Sequence, residues 1–287
     1  MAAWSPMTSL PPAKSFDWNN FALRATSGIV LGSASLAAVW VYDWPRPMWR
    51  APFLVLISIA GVLLSVEWST MATPAAKWRA VAMTSLSVVA VILLAFEGLY
   101  AWAWGFVALG ALVTAVITKN SAERATDGAY GVLYIAPACL ALVWLIGSPQ
   151  GPGWTLMLFA ATWGADVSAF LVGNALGGPK LWPRYSPNKT WSGFFGGLVG
   201  AVVAAVAVAA SLMHLSLLGA GVIGFAGGLA TMAGDLWESM LKRRFGVKDS
   251  GDLIPGHGGL LDRVDGLMFA VMVFAVARLV VKFGWAH

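Results

Sequence analysis

Long apolar runs recur along nearly the whole chain and constrain its fold more than any other feature. Stretches 25–42, 51–68, 80–97, 99–118, 129–147, 154–173, 193–212, 215–234 and 266–283 are each about 18–20 residues long, the length of helix that crosses the hydrocarbon core of a bilayer. Backbone groups in lipid have no water to bond, so such segments must satisfy themselves as helices. The expectation is an all-α, polytopic integral membrane protein with about nine transmembrane helices. Composition agrees: hydrophobic residues make up 59% of the chain and charged residues 11%, against roughly a quarter charged in a soluble domain. With so few polar groups the chain cannot cover a water-facing surface, and its 16 tryptophans suit membrane interfaces.

The runs divide the chain into an N-terminal arm (1–24), an N-terminal transmembrane region (25–150) and a C-terminal region (151–287) that holds two long polar loops, 174–192 and 235–265. The arm contains Pro and Trp, lacks the basic-then-apolar layout of a signal peptide, and reads as interfacial or disordered. Cys139, the single cysteine, rules out an intrachain disulfide framework and a multi-cysteine zinc site. The net charge of +5 fits loops facing anionic lipid better than a nucleic-acid partner. With nine spans, the N-terminus and the even-numbered loops carry fourteen of the 18 Lys and Arg residues and the other side four. By the positive-inside rule the N-terminus and both polar loops face the cytoplasm. A compact design without a signal peptide is what a bacterial inner-membrane protein would have.

Acidic residues are equally uneven: six of 13 fall between Asp235 and Asp265. Asp262 and Asp265, three apart at the opening of the last span, share a helical face, and Asp235 closes the preceding span on the same side. Three carboxylates meeting where two helices reach the cytoplasm would suit Mg²⁺, which takes oxygen ligands and bridges to phosphates. Lys242, Arg243, Arg244, Lys248 and Arg263 stand among them, as a polyphosphate site requires. Gly258 and Gly259, beside His257, would let backbone amides approach phosphate oxygens. Taken singly each feature has a plainer account: Asp262 and Asp265 as helix caps, Lys242 to Arg244 as a topogenic anchor, His257 as a loop histidine. Those accounts leave the co-occurrence of the three features unexplained.

A second constellation begins with Asp166, a carboxylate inside the sixth span and therefore costly unless used. It continues through Asn174 and the run Ser186-Pro187-Asn188-Lys189-Thr190, which offers hydroxyls and a cation for a phosphate or ribose, or is a plain interfacial loop. Gly193, Gly196, Gly197 and Gly200 then open the seventh span, a spacing that permits close helix contact either within the chain or between subunits.

The segment Ser239 to Asp265 resembles the signature of the phosphatidate cytidylyltransferase family. Every fixed position is met, by Ser239, Lys242, Arg243, Lys248, Asp249, Gly251, Pro255, His257, Gly258, Gly259, Asp262, Arg263 and Asp265. The Ser186-to-Thr190 run is similar to the family's upstream element. Asn174 and Ser192 depart from it, standing where a basic and an acidic or amide residue are common. The motifs cover roughly 166–265.

The resemblance implies that CTP and phosphatidic acid react, with Mg²⁺ and with or without a second cation, to give CDP-diacylglycerol and pyrophosphate. It implies metal binding by Asp235, Asp262 and Asp265. Lys242, Arg243, Lys248 and Arg263 would neutralise phosphates, and Asp249 and His257 would orient cations or loops. Asp166, Ser186, Lys189, Thr190, Ser239, Gly258 and Gly259 would contact substrate. A homodimer is implied as well. Two other readings compete: a CTP-dependent polyprenol or lipid kinase with a similar site, and a secondary transporter using Asp166. The latter lacks the internal repeat common in transporters, and a nonenzymatic scaffold would leave the charged cluster idle.

Overall fold

The computed structural model describes residues 18–120, 124–251, 253 and 258–283. Among them are nine helices: α1 (Trp18–Trp40), α2 (Ala51–Ala72), α3 (Lys77–Phe96), α4 (Tyr100–Thr118), α5 (Ala125–Gly147), α6 (Gly151–Leu176), α7 (Trp191–Leu212), α8 (Leu217–Arg244) and α9 (Leu261–Lys282). The last eight are long and apolar enough to cross a membrane. In α1 the apolar stretch is Thr26–Trp40, about 22 Å of helix against a hydrocarbon core of roughly 30 Å. The chain is thus an all-α, polytopic integral membrane protein. Most of the expected arm, residues 1–17, lies outside the described residues, and α1 begins at Trp18, inside its expected bounds.

Helix ends follow local chemistry. Glu97 and Gly98 separate α3 from α4 because Gly98 adopts φ +75°, letting its amide bond Ala95 O (3.1 Å) and the Leu99 amide bond Leu94 O (2.8 Å). This glycine-dependent cap satisfies the last carbonyls. Gly246 (φ +72°) closes α8 in the same way, with Val247 N on Lys242 O at 2.9 Å and Gly246 N on Arg243 O at 3.2 Å. Helix α8 therefore runs ten residues past the expected span end at 234. Asp235, Ser239, Lys242 and Arg243, expected in a loop, stand on a helix whose basic last turn complements its dipole. The 174–192 loop is also more ordered than expected, since β1 (Lys180–Trp182) and β2 (Ser186–Thr190) pair as an antiparallel hairpin.

Helix α5 is the most enclosed span, 67% of its apolar window being buried, and it joins α2–α4 to α6 and α9. Helices α6 and α7 pack through the small-residue stripe. Gly196 meets the Val172 side chain, Gly197 the Ala165 carbonyl, and Gly193 the Ala169 carbonyl, all where a Cβ would be crowded. The stripe is used inside the chain.

Candidate active site

Glycines bring two acidic elements, the end of α8 and the start of α9, together. A Cβ on Gly234 would stand 2.5 Å from Asp265 O and 3.0 Å from Gly266 Cα, and one on Gly266 would stand 2.6 Å from the Thr231 methyl. Helices α8 and α9 therefore cross backbone against backbone, and the residues flanking the crossing are Asp235 and Asp265. Both line a cavity of about 1150 Å³, together with Asp166, Lys189, Lys242, Asp262 and Arg263. Asp166 is ten residues from the end of α6, roughly 15 Å along the helix. It lies within electrostatic range of Asp235 and Asp265.

Two lysines stand on this acid cluster. Lys189, in β2, pairs with Asp235. Lys242 pairs with Asp262 and lies 3.6 Å from Glu238 Oε2. The other oxygen of Asp262 accepts the amides of Ser250 (3.1 Å) and Gly259 (3.2 Å). Asp265 Oδ1 accepts the Gly266 amide at 2.6 Å. No three acidic, histidine or cysteine groups among the described residues stand in ready ligand geometry. What exists is two lysine–carboxylate pairs beside Asp265 and Asp166.

The cavity has a second character. Beyond the charged end it runs between α1, α2 and α6, past Gly32, Phe53, Ile57 and Ala60. Leu31, Ile59, Trp163 and Phe170 line it and are also exposed on the lipid-facing side. Charge at one end and an apolar, membrane-open arm at the other suit an amphipathic ligand. The volume exceeds the usual single-ligand range of about 300–1,000 Å³.

The remaining expected residues divide. Thr190 borders the cavity, but its hydroxyl caps α7, accepting from Gly193 N (3.2 Å) and bonding the Ser192 hydroxyl (3.0 Å). Asn174, the first departure from the family pattern, also lines the cavity, whereas Ser192 is tied to Gly177 O. Ser186 and Ser239 are half-buried outside the lining. Arg243 faces away from the carboxylates, donates to Val247 O (3.2 Å), and shares a smaller recess with Arg184 and Arg244. Lys248 and Asp249 are exposed in the segment after α8. Gly258 takes φ +83°, while the Gly259 amide is spent on Asp262. His257 lies outside the described residues.

Two acids were overlooked as site residues. Glu238 is wholly buried, its oxygens without a hydrogen-bond partner among the described residues. Glu67, on α2, accepts the amides at the start of α9. The signal was present, because Glu67 is an acid inside an apolar run, the criterion that singled out Asp166.

Residues 22–281 match the model of a family described as the cytidylyltransferase family. That match extends well beyond the motif region into the N-terminal half. A Brucella abortus protein named phosphatidate cytidylyltransferase is 37% identical over 286 residues, covering 93% of this chain and 94% of the relative. A Pseudomonas aeruginosa protein of the same name is 43% identical over 161 residues, covering 54% of this chain and 57% of its own length. One from Staphylococcus epidermidis is 33% identical over 171 residues, covering 58% and 65%.

Proposed function

The chain belongs to the cytidylyltransferase family, and from that premise we propose that it transfers the cytidylyl group of CTP to phosphatidic acid, giving CDP-diacylglycerol and pyrophosphate. It is a nucleotidyltransferase, and relatives along the whole chain bear the corresponding name. The observation that carries the reading is the two-ended cavity: Asp235, Asp265 and paired lysines at its head, lipid-accessible apolar walls behind. A phosphate headgroup can reach the charged end while its acyl chains stay in the bilayer.

A phosphate oxygen of phosphatidic acid attacks the α-phosphorus of CTP. The new P–O bond forms as the bond to the β-bridging oxygen breaks, and pyrophosphate leaves with the electron pair. The nucleophile is already anionic, so the task is to bring two anions together and to stabilise the departing charge. Lys242 and Arg263 border the cavity where the phosphates would meet, and Lys189 reaches it from the hairpin. Arg243, Lys248, Asp249 and His257 would act on substrate from the segment outside the cavity lining, and Ser186, Ser239, Gly258 and Gly259 would shape its approaches.

The donor set fits Mg²⁺, being carboxylate oxygens that face a cavity and already attract cationic groups. Asp235, Asp262 and Asp265 would hold it, with Lys189 and Lys242 turning from those carboxylates to the triphosphate. Bound there, the ion would screen the triphosphate and the leaving pyrophosphate. Asp166, which borders the same cavity, would offer a further carboxylate to a second cation.

The lysine- and arginine-rich ends support a bacterial inner-membrane setting with this site toward the cytoplasm. A homodimer would need a face other than the α7 glycine stripe, which α6 occupies. Detergent-purified protein given CTP, phosphatidic acid and Mg²⁺ should release pyrophosphate and form CDP-diacylglycerol, and chelation should stop it. Release of CDP with a phosphorylated lipid would instead make it a kinase.

A further inference from the structure

Glu67 belongs to the half of the chain that the signature does not touch, yet it is bonded to the signature more tightly than to its own surroundings. It is 2% exposed, near the end of α2. One oxygen accepts the Leu260 amide at 2.7 Å. The other accepts the Leu261 amide at 2.6 Å and faces the Ser250 hydroxyl at 3.3 Å. Those amides are the first of α9, whose N-cap Leu260 offers no capping side chain. First-turn amides have no partner within their helix, and a carboxylate there also meets the positive end of the dipole. Helix α9 is therefore capped by a carboxylate from a helix about 190 residues away, by the chain separation of the bonded residues.

Asp262 completes the arrangement by taking the amides of Ser250 and Gly259. Two neighbouring carboxylates thus occupy the amides at 250, 259, 260 and 261. Gly259 is required by this closeness, since a Cβ there would stand 3.0 Å from both Glu67 Oε2 and Asp262 Oδ2 and would strike the Ser250 hydroxyl. A Cβ at Gly251 would stand 3.2 Å from Glu67 Cγ. Glu67 is itself anchored through its neighbour. Trp68 is 1% exposed, donates its indole N–H to Asp127 O (3.0 Å), and packs against Tyr130 and Phe245. Asp127 in turn holds Arg244, at the end of α8, at 2.5 Å.

We propose that Glu67 is a positioning residue for the transfer reaction. Its carboxylate fixes the first turn of α9, and so the rotation and height at which Asp262 and Asp265 face Asp235 across the α8–α9 crossing. The role in turnover rests on the function proposed above; the clamp itself is a matter of hydrogen bonds and stands apart from it. Glutamine at this position keeps the shape but presents an NH₂ group to amides that need an acceptor.

The test has two arms on the full-length protein in detergent. Hydrogen exchange on the wild type should find the Leu260 and Leu261 amides protected, although unaided first-turn amides exchange quickly. In Glu67→Gln their protection should fall while that of residues 270–280 is unchanged. Steady-state kinetics of the same variant should show kcat reduced by about 10–100-fold, the scale of an ångström-sized misplacement, with KM for CTP within a factor of about three and a higher Mg²⁺ half-saturation. Unprotected wild-type amides at 260 and 261 would overturn the clamp whether or not the variant folds. A Glu67→Gln protein with lower thermal stability but wild-type kcat and Mg²⁺ dependence would reduce Glu67 to a purely structural residue and overturn the proposal. Wild-type protein that makes no CDP-lipid, with those amides protected, would defeat the proposed reaction and leave the clamp standing.

Discussion

Asp235 and Asp265 flank the contact between α8 and α9 and line the same cavity, which is why the proposed chemistry is centred on them. Among the described residues Asp265 has no lysine paired with it, whereas Asp235 has Lys189 and Asp262 has Lys242. Replacing Asp265 with Asn changes little in volume and removes one negative charge from the head of the cavity. Loss of at least about 10²–10³-fold in kcat is expected, the cost of removing one preorganised electrostatic group. The variant should still insert and melt as a folded protein by thermal denaturation in detergent. Near-normal turnover would take Asp265 out of the site. These acids were legible in sequence because spacing places Asp262 and Asp265 on one helical face and Asp235 at the limit of the preceding apolar run, although α8 continues past Asp235 to Arg244. Glu67 stood out only as an acid inside an apolar run; its role was not legible, because its partners are backbone amides nearly two hundred positions away, and no local pattern records them. Thr190 illustrates the reverse: a hydroxyl within a substrate-like motif spends its bonding capacity on the α7 amide.

Elements were legible wherever hydrophobic length set them. The spans of α4 and α7 were foreseen to within two residues at either end. The extension of α8 was missed because six of its last ten residues are polar, and polarity was read as loop; the stop signal was Gly246, with its positive φ. The hairpin was hidden for a related reason: its strands are three and five residues long and largely exposed, too short for alternation to register. Helix α1 contributes the wall of the apolar arm through Gly32, where an added Cβ meets nothing within 4 Å. Gly32→Phe should therefore fill the arm without straining the fold. Long-chain phosphatidic acids should lose about tenfold in kcat/KM relative to short-chain ones, the scale on which an apolar pocket discriminates by size. Competition between acyl lengths, followed by mass spectrometry of the products, checks this. An unchanged chain-length profile would place the acyl chains elsewhere.

At the scale of the molecule, sidedness and chemistry coincide. The end of α2, the start of α5, the end of α8 and the start of α9 meet on one face, tied by Glu67 to Leu261 and by Arg244 to Asp127. The hairpin joins them through Lys189 and Asp235. In the orientation proposed from the bias of Lys and Arg, this face would turn toward the cytoplasm. Arg278, on the sparse side of that bias, bonds Pro149 O near the other end of α5. The N-terminal half, which the sequence marked only as hydrophobic, supplies the apolar arm and the α9 clamp. Both the bond that breaks and the face on which it breaks can be read at once. Sealed inside-out vesicles containing the protein and phosphatidic acid would receive CTP labelled at either the α- or the γ-phosphorus. The account predicts α-label in the lipid extract, γ-label in pyrophosphate, and neither conversion in right-side-out vesicles. Label from the γ-phosphorus in lipid, or equal α-transfer from the opposite face, would contradict it.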